Sequence, residues 1–138
     1  MIMWMKKWMR LIPLLACMIL LSACSIGGEY AKIRDIPFTV LGESVIPEEL
    51  KTVLEEKKAE PFQLTFSDKG ILYICEGYGT QKTGGYSIAV DKMYLSDNAI
   101  VVQTTLLGPE PGEKSKAGQS WPYIVLKTED LEKSVVFE

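Results

Sequence analysis

An α+β domain is predicted, a mainly antiparallel β-sheet of about six short strands with one helix, and three observations predict it. Only the stretch from Pro47 to Lys58 combines helical periodicity with a start and a stop signal. From Phe62 onward, apolar residues recur at every second position between clusters of Gly, Pro, Asn, Asp and Ser. No internal repeat or second composition break interrupts that region, so one domain accounts for it.

The N-terminal stretch is of a different kind. Lys6, Lys7 and Arg10 precede an apolar run from Leu11 to Leu21 that closes on Leu21-Ser22-Ala23-Cys24. A basic start, a short apolar stretch and small residues before a cysteine form the pattern of a lipoprotein export signal. It predicts cleavage between Ala23 and Cys24 and attachment of lipid to Cys24. A retained transmembrane helix is the competing reading, but it needs about 20 apolar residues, and this run is shorter and interrupted by Pro13. Acyl chains contribute about 0.8 kcal/mol per buried methylene, so several together hold a small domain on a bilayer. The expected organisation is a signal peptide over 1–23, a lipid-anchored tether over 24–35 containing paired glycines, and a single domain over 36–138. Its expected location is the outer, extracytoplasmic face of a bacterial cell membrane.

Charge and cysteine usage narrow the function classes. The whole chain carries 15 Lys plus Arg against 18 Asp plus Glu; the leader holds three basic residues and no acid, which leaves 12 against 18 for the remainder. An acidic domain argues against nucleic acid and anionic headgroups as partners, since both require clustered Lys and Arg. Cys17 leaves with the signal and Cys24 takes the lipid, so Cys75 remains alone and no intrachain disulfide is expected. Cys75 ends the apolar run Ile71-Leu72-Tyr73-Ile74-Cys75, which favours a buried free thiol over a nucleophile.

Taken in order, the elements are as follows. Phe38 to Leu41 reads as a short strand. The helix follows, with Leu50, Val53 and Leu54 on one face, Pro47 at the first helical position, Glu48 and Glu49 complementing the N-terminal dipole, Lys57 and Lys58 the C-terminal one, and Pro61 preventing continuation. Phe62, Leu64 and Phe66 then alternate with Gln63 and Thr65, and Ser67-Asp68-Lys69-Gly70 supplies a tight turn into Ile71 to Tyr78. That second strand is apolar on both faces and is expected in the middle of the sheet. After a glycine-rich link, Gly77 to Gly85, a second hairpin places Tyr86, Ile88, Val90 and Tyr94 on one face and turns at Ser96-Asp97-Asn98 into Ile100, Val102, Thr104 and Leu106. A polar loop from Gly108 to Ser120 enters the strand Trp121 to Leu126, and Ser134 to Phe137 adds an edge strand.

Catalytic chemistry finds few footholds. The run Gly77 to Gly85 superficially resembles a phosphate loop, but Gln81 stands where glycine must precede Lys82-Thr83, and a strand follows where a helix N-terminus is needed. The chain contains no histidine, so a Ser-His-Asp triad is excluded, and a zinc site would have to be assembled from scattered carboxylates and one thiol. Glu48 and Glu49 diverge from a helix, while Glu110 and Glu113 sit in a loop, and neither pair matches an acid with a base. Ser87 and Lys82 are neighbours, but an exposed lysine with an ordinary pKa makes a poor base. No cofactor and no metal are expected.

One segment carries a family resemblance. Gly79-Thr80-Gln81-Lys82-Thr83-Gly84-Gly85-Tyr86-Ser87-Ile88, the Pro109-Glu110-Pro111-Gly112 loop and the Pro122-Tyr123-Ile124-Val125 strand together resemble the C-terminal domain of the PrcB family, lipoprotein subunits associated with bacterial cell-surface protease complexes. The resemblance runs from Gly79 to Lys127. It implies a non-catalytic accessory protein that binds or stabilises an exported protease or another envelope protein. Gly84, Gly85, Tyr86, Pro109, Pro111, Gly112, Trp121 and Tyr123 are then the candidate partner-binding residues, with aromatic area of the kind found at binding hot spots. The competing reading makes the glycines a β-bulge and the aromatics core, most strongly for Tyr86 and Tyr123. Two other function classes stay open: a small-ligand or cell-wall binding module using the 79–85 and 108–120 loops, and a hydrolase with an unusual serine or carboxylate site.

Overall fold

A computed structural model describes residues 30–110 and 118–138. In chain order the elements are β1 (Lys32–Asp35), β2 (Thr39–Val40), a 3-10 turn (Glu43–Val45), α1 (Glu48–Lys57), β3 (Pro61–Asp68), β4 (Ile71–Tyr78), β5 (Ser87–Ser96), β6 (Ala99–Leu107), β7 (Tyr123–Glu129) and β8 (Ser134–Phe137). The β-rich reading with one helix holds among the described residues, but eight strands replace about six, and they form two sheets instead of one. The first sheet has the order β1-β5-β6-β8 and the second the order β2-β7-β4-β3. All pairs are antiparallel except β6 with β8.

The two hairpins form where the turn chemistry allows. Lys69 (φ 50) and Gly70 (φ 80) give positive φ at both centres of a two-residue turn, the geometry that matches the twist of flanking strands. The β3–β4 register then runs unbroken from Asp68 opposite Ile71 to Pro61 opposite Tyr78. The Ser96 hydroxyl closes the other turn by accepting from the Ala99 N–H at 3.0 Å.

Packing explains why β4 is apolar on both faces. Leu72 and Ile74 meet Ile124 and Leu126 of β7 and, from the other sheet, Met93, Ile100 and Val102, forming the core between the sheets. Tyr73 and Cys75 point the opposite way with Val125, towards Leu50 and Leu54 of α1 and Ile46. The expected central position of β4 is confirmed, since β7 and β3 flank it.

Three local expectations are corrected. Pro47 is the N-cap and not the first helical residue; its carbonyl accepts from Lys51 N–H at 2.9 Å. The register slips between Val90 and Lys92, so a bulge at Asp91 reverses the alternation. Met93 and Leu95 therefore join Ile88 and Val90 on the core face, while Tyr94, read as their neighbour, falls on the other face opposite Val101. Finally, β1 pairs with β5 within the stretch 24–35 that was read as tether. Ile36, which follows it, is buried in the core between the sheets.

The helix makes a direct test of the outer layer. Leu54 is 0 % exposed whereas Val53, one residue earlier, is 36 % exposed. Leu54→Ala should cost about 2–5 kcal/mol in denaturant unfolding, and Val53→Ala less than about 1 kcal/mol.

Candidate functional site

At one end of the paired sheets lie the start of β3, the end of β4, the start of β5, the end of β6 and the start of β7, joined by the segments 79–86, 108–110 and 118–122. Main-chain bonds hold these segments together. The Gln81 and Ser120 backbones exchange bonds of 2.8 and 3.1 Å, and the Ser120 hydroxyl donates to the Thr83 carbonyl at 2.6 Å. The Thr80 N–H reaches the Ala59 carbonyl at 3.1 Å, and Tyr78 N–H reaches Pro122 O at 3.0 Å. Gly79 meets neighbouring backbone. Its φ of +77 disfavours any side chain, and an added Cβ would sit 2.9 Å from Pro61 Cδ and 3.0 Å from Pro61 N.

The sequence-selected residues gather here in part. Gly85 lies against Pro109, where an added Cβ would come within 3.4 Å of the Pro109 ring, and the Tyr86 ring borders Gly108. The Gly84–Tyr86 and Gly108–Pro109 segments thus form one surface, with Tyr86 and Pro109 half-buried. Trp121 is 39 % exposed, with the Lys58 ammonium 5.1 Å from its ring centroid. Lys58 also binds Glu55 at 2.7 Å, and that bond, opposed by desolvation, raises the lysine pKa. Tyr123 packs into the helix-side core beside Phe62, ring centroids 6.4 Å apart. Its hydroxyl is buried without a hydrogen-bond partner among the described residues, and burial is the first cause of its raised pKa, followed by Glu43 and Glu55. Ala23, Cys24, Pro111 and Gly112 lie outside the described residues.

Sequence reasoning missed a polar bridge between the sheets. Glu76, 9 % exposed, stands on the inner face of β4 and accepts from Gln63 Nε2 at 2.8 Å and from the hydroxyl of Thr104 on β6. Tyr78 OH, 3.5 Å from the same carboxylate, also bonds to Thr104. Desolvation raises the Tyr78 pKa, the Thr104 bond opposes it, and Glu76 adds to it. The one available signal was an acid inside an otherwise apolar strand, opposite a glutamine. Two neutral donors, Gln63 and Thr104, bond this carboxylate, and Tyr78 backs the Thr104 hydroxyl, an arrangement that favours a structural tie across the sheets.

Neither Cys75 nor Ser87 is activated as a nucleophile. Cys75 is 0 % exposed, and burial pushes its thiol up to about 12, so it is protonated at neutral pH and far from nucleophilic. Ser87 and Lys82 are both exposed, with no hydrogen bond between them. Among the described residues no group of three or more His, Cys, Asp and Glu could hold a metal ion, and no helix is long and apolar enough to cross a membrane.

Comparison with known proteins agrees with the resemblance. Residues 72–129 match the family model described as PrcB C-terminal, a span that contains the segment Gly79 to Lys127. It covers β4, β5, β6 and β7, the two inner strands of each sheet. No curated protein and no solved structure matches the chain.

Two measurements probe these buried groups. The folded Cys75 pKa lies above its unfolded value of 9.0, so its contribution is intact below about pH 9 and is lost as pH rises towards about 12. Between about pH 8 and about pH 11, the wild-type chain should lose more stability than Cys75→Ala, and thiol reagents should label Cys75 only under denaturing conditions. Glu76→Ala leaves Gln63 and Thr104 without their acceptor and should cost about 1–3 kcal/mol in denaturant unfolding, with Glu76→Gln recovering part of the loss.

Proposed function

We propose that this chain is a non-catalytic accessory lipoprotein, held by lipid on Cys24 at the extracytoplasmic face of a bacterial membrane, that binds an exported protease or another envelope protein. The observation that carries the reading is the PrcB C-terminal match over residues 72–129, which at family level suggests a protease-associated role. The location rests on the sequence pattern Leu21-Ser22-Ala23-Cys24 and its basic, apolar leader.

The end of the sheets bearing the 79–86, 108–110 and 118–122 segments is the proposed contact. Its backbone is cross-tied by the Gln81–Ser120 and Thr80–Ala59 bonds, so little ordering entropy remains to be lost on association. Trp121 supplies exposed aromatic area, and Gly85 packs against Pro109 at the same end of the sheets. A large aromatic on a pre-organised surface is the usual chemistry of a protein-binding anchor. The mode of action is then positional: the protein presents a rigid surface to a partner confined to the same membrane face.

Affinity capture of the tagged chain from native membranes tests this reading. It should recover an exported protease or envelope protein in near-stoichiometric amount, and Trp121→Ala should reduce the recovery about tenfold or more while leaving the thermal melt unchanged within a few degrees. Cys24→Ser should abolish acylation in the mass spectrum and release the chain from the membrane. Repeated capture of nothing by the wild-type chain would count against the accessory role.

A further inference from the structure

We infer that β3 is a homodimerisation edge, along which a second copy of this chain pairs antiparallel to give one sheet continuous across two protomers. This inference does not depend on the proposed function.

The outer edge of β3 differs from every other sheet edge among the described residues. β1 has four residues, three of them charged, and a register shift; β2 has two residues and β8 four. These are the short, charged or irregular edges by which proteins avoid edge pairing. β3 has eight residues in unbroken register, and Phe62 to Ser67 carries no charge and no proline. No described strand pairs on its free side.

The direction of its free main-chain groups follows from β4. Tyr78 N–H donates to Pro122 O and Asp130 N–H to Gly70 O, both towards the β7 side. Alternation along the strand turns the main-chain groups of Ile71, Tyr73, Cys75 and Gly77 towards β3, where their partners are Asp68, Phe66, Leu64 and Phe62. The N–H and C=O groups of Gln63, Thr65 and Ser67, with the Pro61 carbonyl, therefore point outward.

A second β3 fits this edge in one register that suits both faces. With Leu64 on the two-fold axis, Leu64 meets Leu64 of the second copy and Phe62 meets its Phe66, while Gln63 meets Thr65 and Pro61 meets Ser67. Phe62, Leu64 and Phe66 are half-buried against the helix-side core, and this pairing extends their cover; Gln63, Thr65 and Ser67 are exposed and stay on the polar face. Outward groups pair with outward groups, giving about six main-chain hydrogen bonds. Charge also permits it in an acidic molecule. The contacting stretch is neutral, and beyond its ends Asp68 of one copy falls opposite Glu60 of the other, with Lys69 opposite Ala59, so the charged positions confine the pairing to Pro61–Ser67. About six bonds along a single strand make a small contact, as expected for a reversible dimer.

Sedimentation equilibrium of the full chain in density-matched detergent tests the inference. A monomer–dimer equilibrium is expected. Thr65→Pro removes an outward N–H while sparing the bonds to β4, and should weaken dimerisation at least tenfold; Thr65→Val keeps the N–H and should dimerise like wild type. If Thr65→Pro lowers the thermal midpoint by more than a few degrees, Thr65→Lys with Ser67→Lys replaces it, because that pair gathers four lysines on one exposed face of the joined strands and should also abolish the dimer. A chain that stays monomeric to high concentration overturns the inference, as does a dimer that survives in the folded blocking variant. A monomer that instead takes up a foreign extended peptide along β3 overturns it too.

Discussion

Burial of β4 on both faces is the constraint on which the other elements depend. A strand with Leu72 and Ile74 on one side and Tyr73 and Cys75 on the other cannot be satisfied by a single two-layer sheet. One face requires the β5–β6 hairpin and β8; the other requires α1 with Ile46. Three layers follow, in the order helix, β4-containing sheet, second sheet. The chain changes sheet between β4 and β5, between β6 and β7, and at residues 36–38 and 130–133, the last two crossings tied by hydrogen bonds. Thr128 donates to the Pro37 carbonyl at 2.9 Å, and the Glu132 N–H bonds the Asp130 carboxylate at 2.9 Å.

The same strand ends in polar chemistry at the loop end, where the inward position passes from Ile74 to Glu76. The carboxylate could not stay there unpaired, since an uncompensated buried charge costs several kcal/mol. Gln63 from its own sheet and Thr104 from the other supply the donors. The tie therefore fixes the spacing of the sheets just below the segments that carry Tyr86, Pro109 and Trp121. The Gln81–Ser120 bridge adds a second cross-link above it.

Much of this was legible in the sequence, and the parts that were not have physical reasons. The β3–β4 hairpin could be read almost to the residue because one face is apolar, the other polar, and the turn carries glycine. The Asp91 bulge was invisible: nothing in Val90-Asp91-Lys92-Met93 marks an extra residue, yet it decides which face Tyr94 occupies. β1 was missed because Lys32, Arg34 and Asp35 have no apolar alternation to report, and its strand character comes from pairing with β5. Two sheets were read as one because strand patterns give the inward residues but not which hairpin pairs with which. Glu76 escaped notice for a related reason, as its partner Thr104 lies 28 positions away and in the other sheet. Within the candidate site, Trp121 at a loop exit was a readable exposure signal, whereas its contact with Lys58 required the fold.

The family match stops at the inner strands, and the physics says that those strands do not suffice. Residues 72–129 by themselves would leave each sheet with two strands, and isolated two-stranded units are marginal in water. Tyr73, Cys75 and Val125 would lose Leu50 and Leu54 above them, exposing an apolar face that a soluble surface does not tolerate. The contacts at the loop end cross the same boundary. Pro61 lies against Gly79, Ala59 accepts from Thr80, Phe62 stacks beside Tyr123 and Lys58 covers Trp121. The helix, β3 and the outer strands are therefore integral to the matched region. The loop end is built where the α1–β3 corner meets the matched strands.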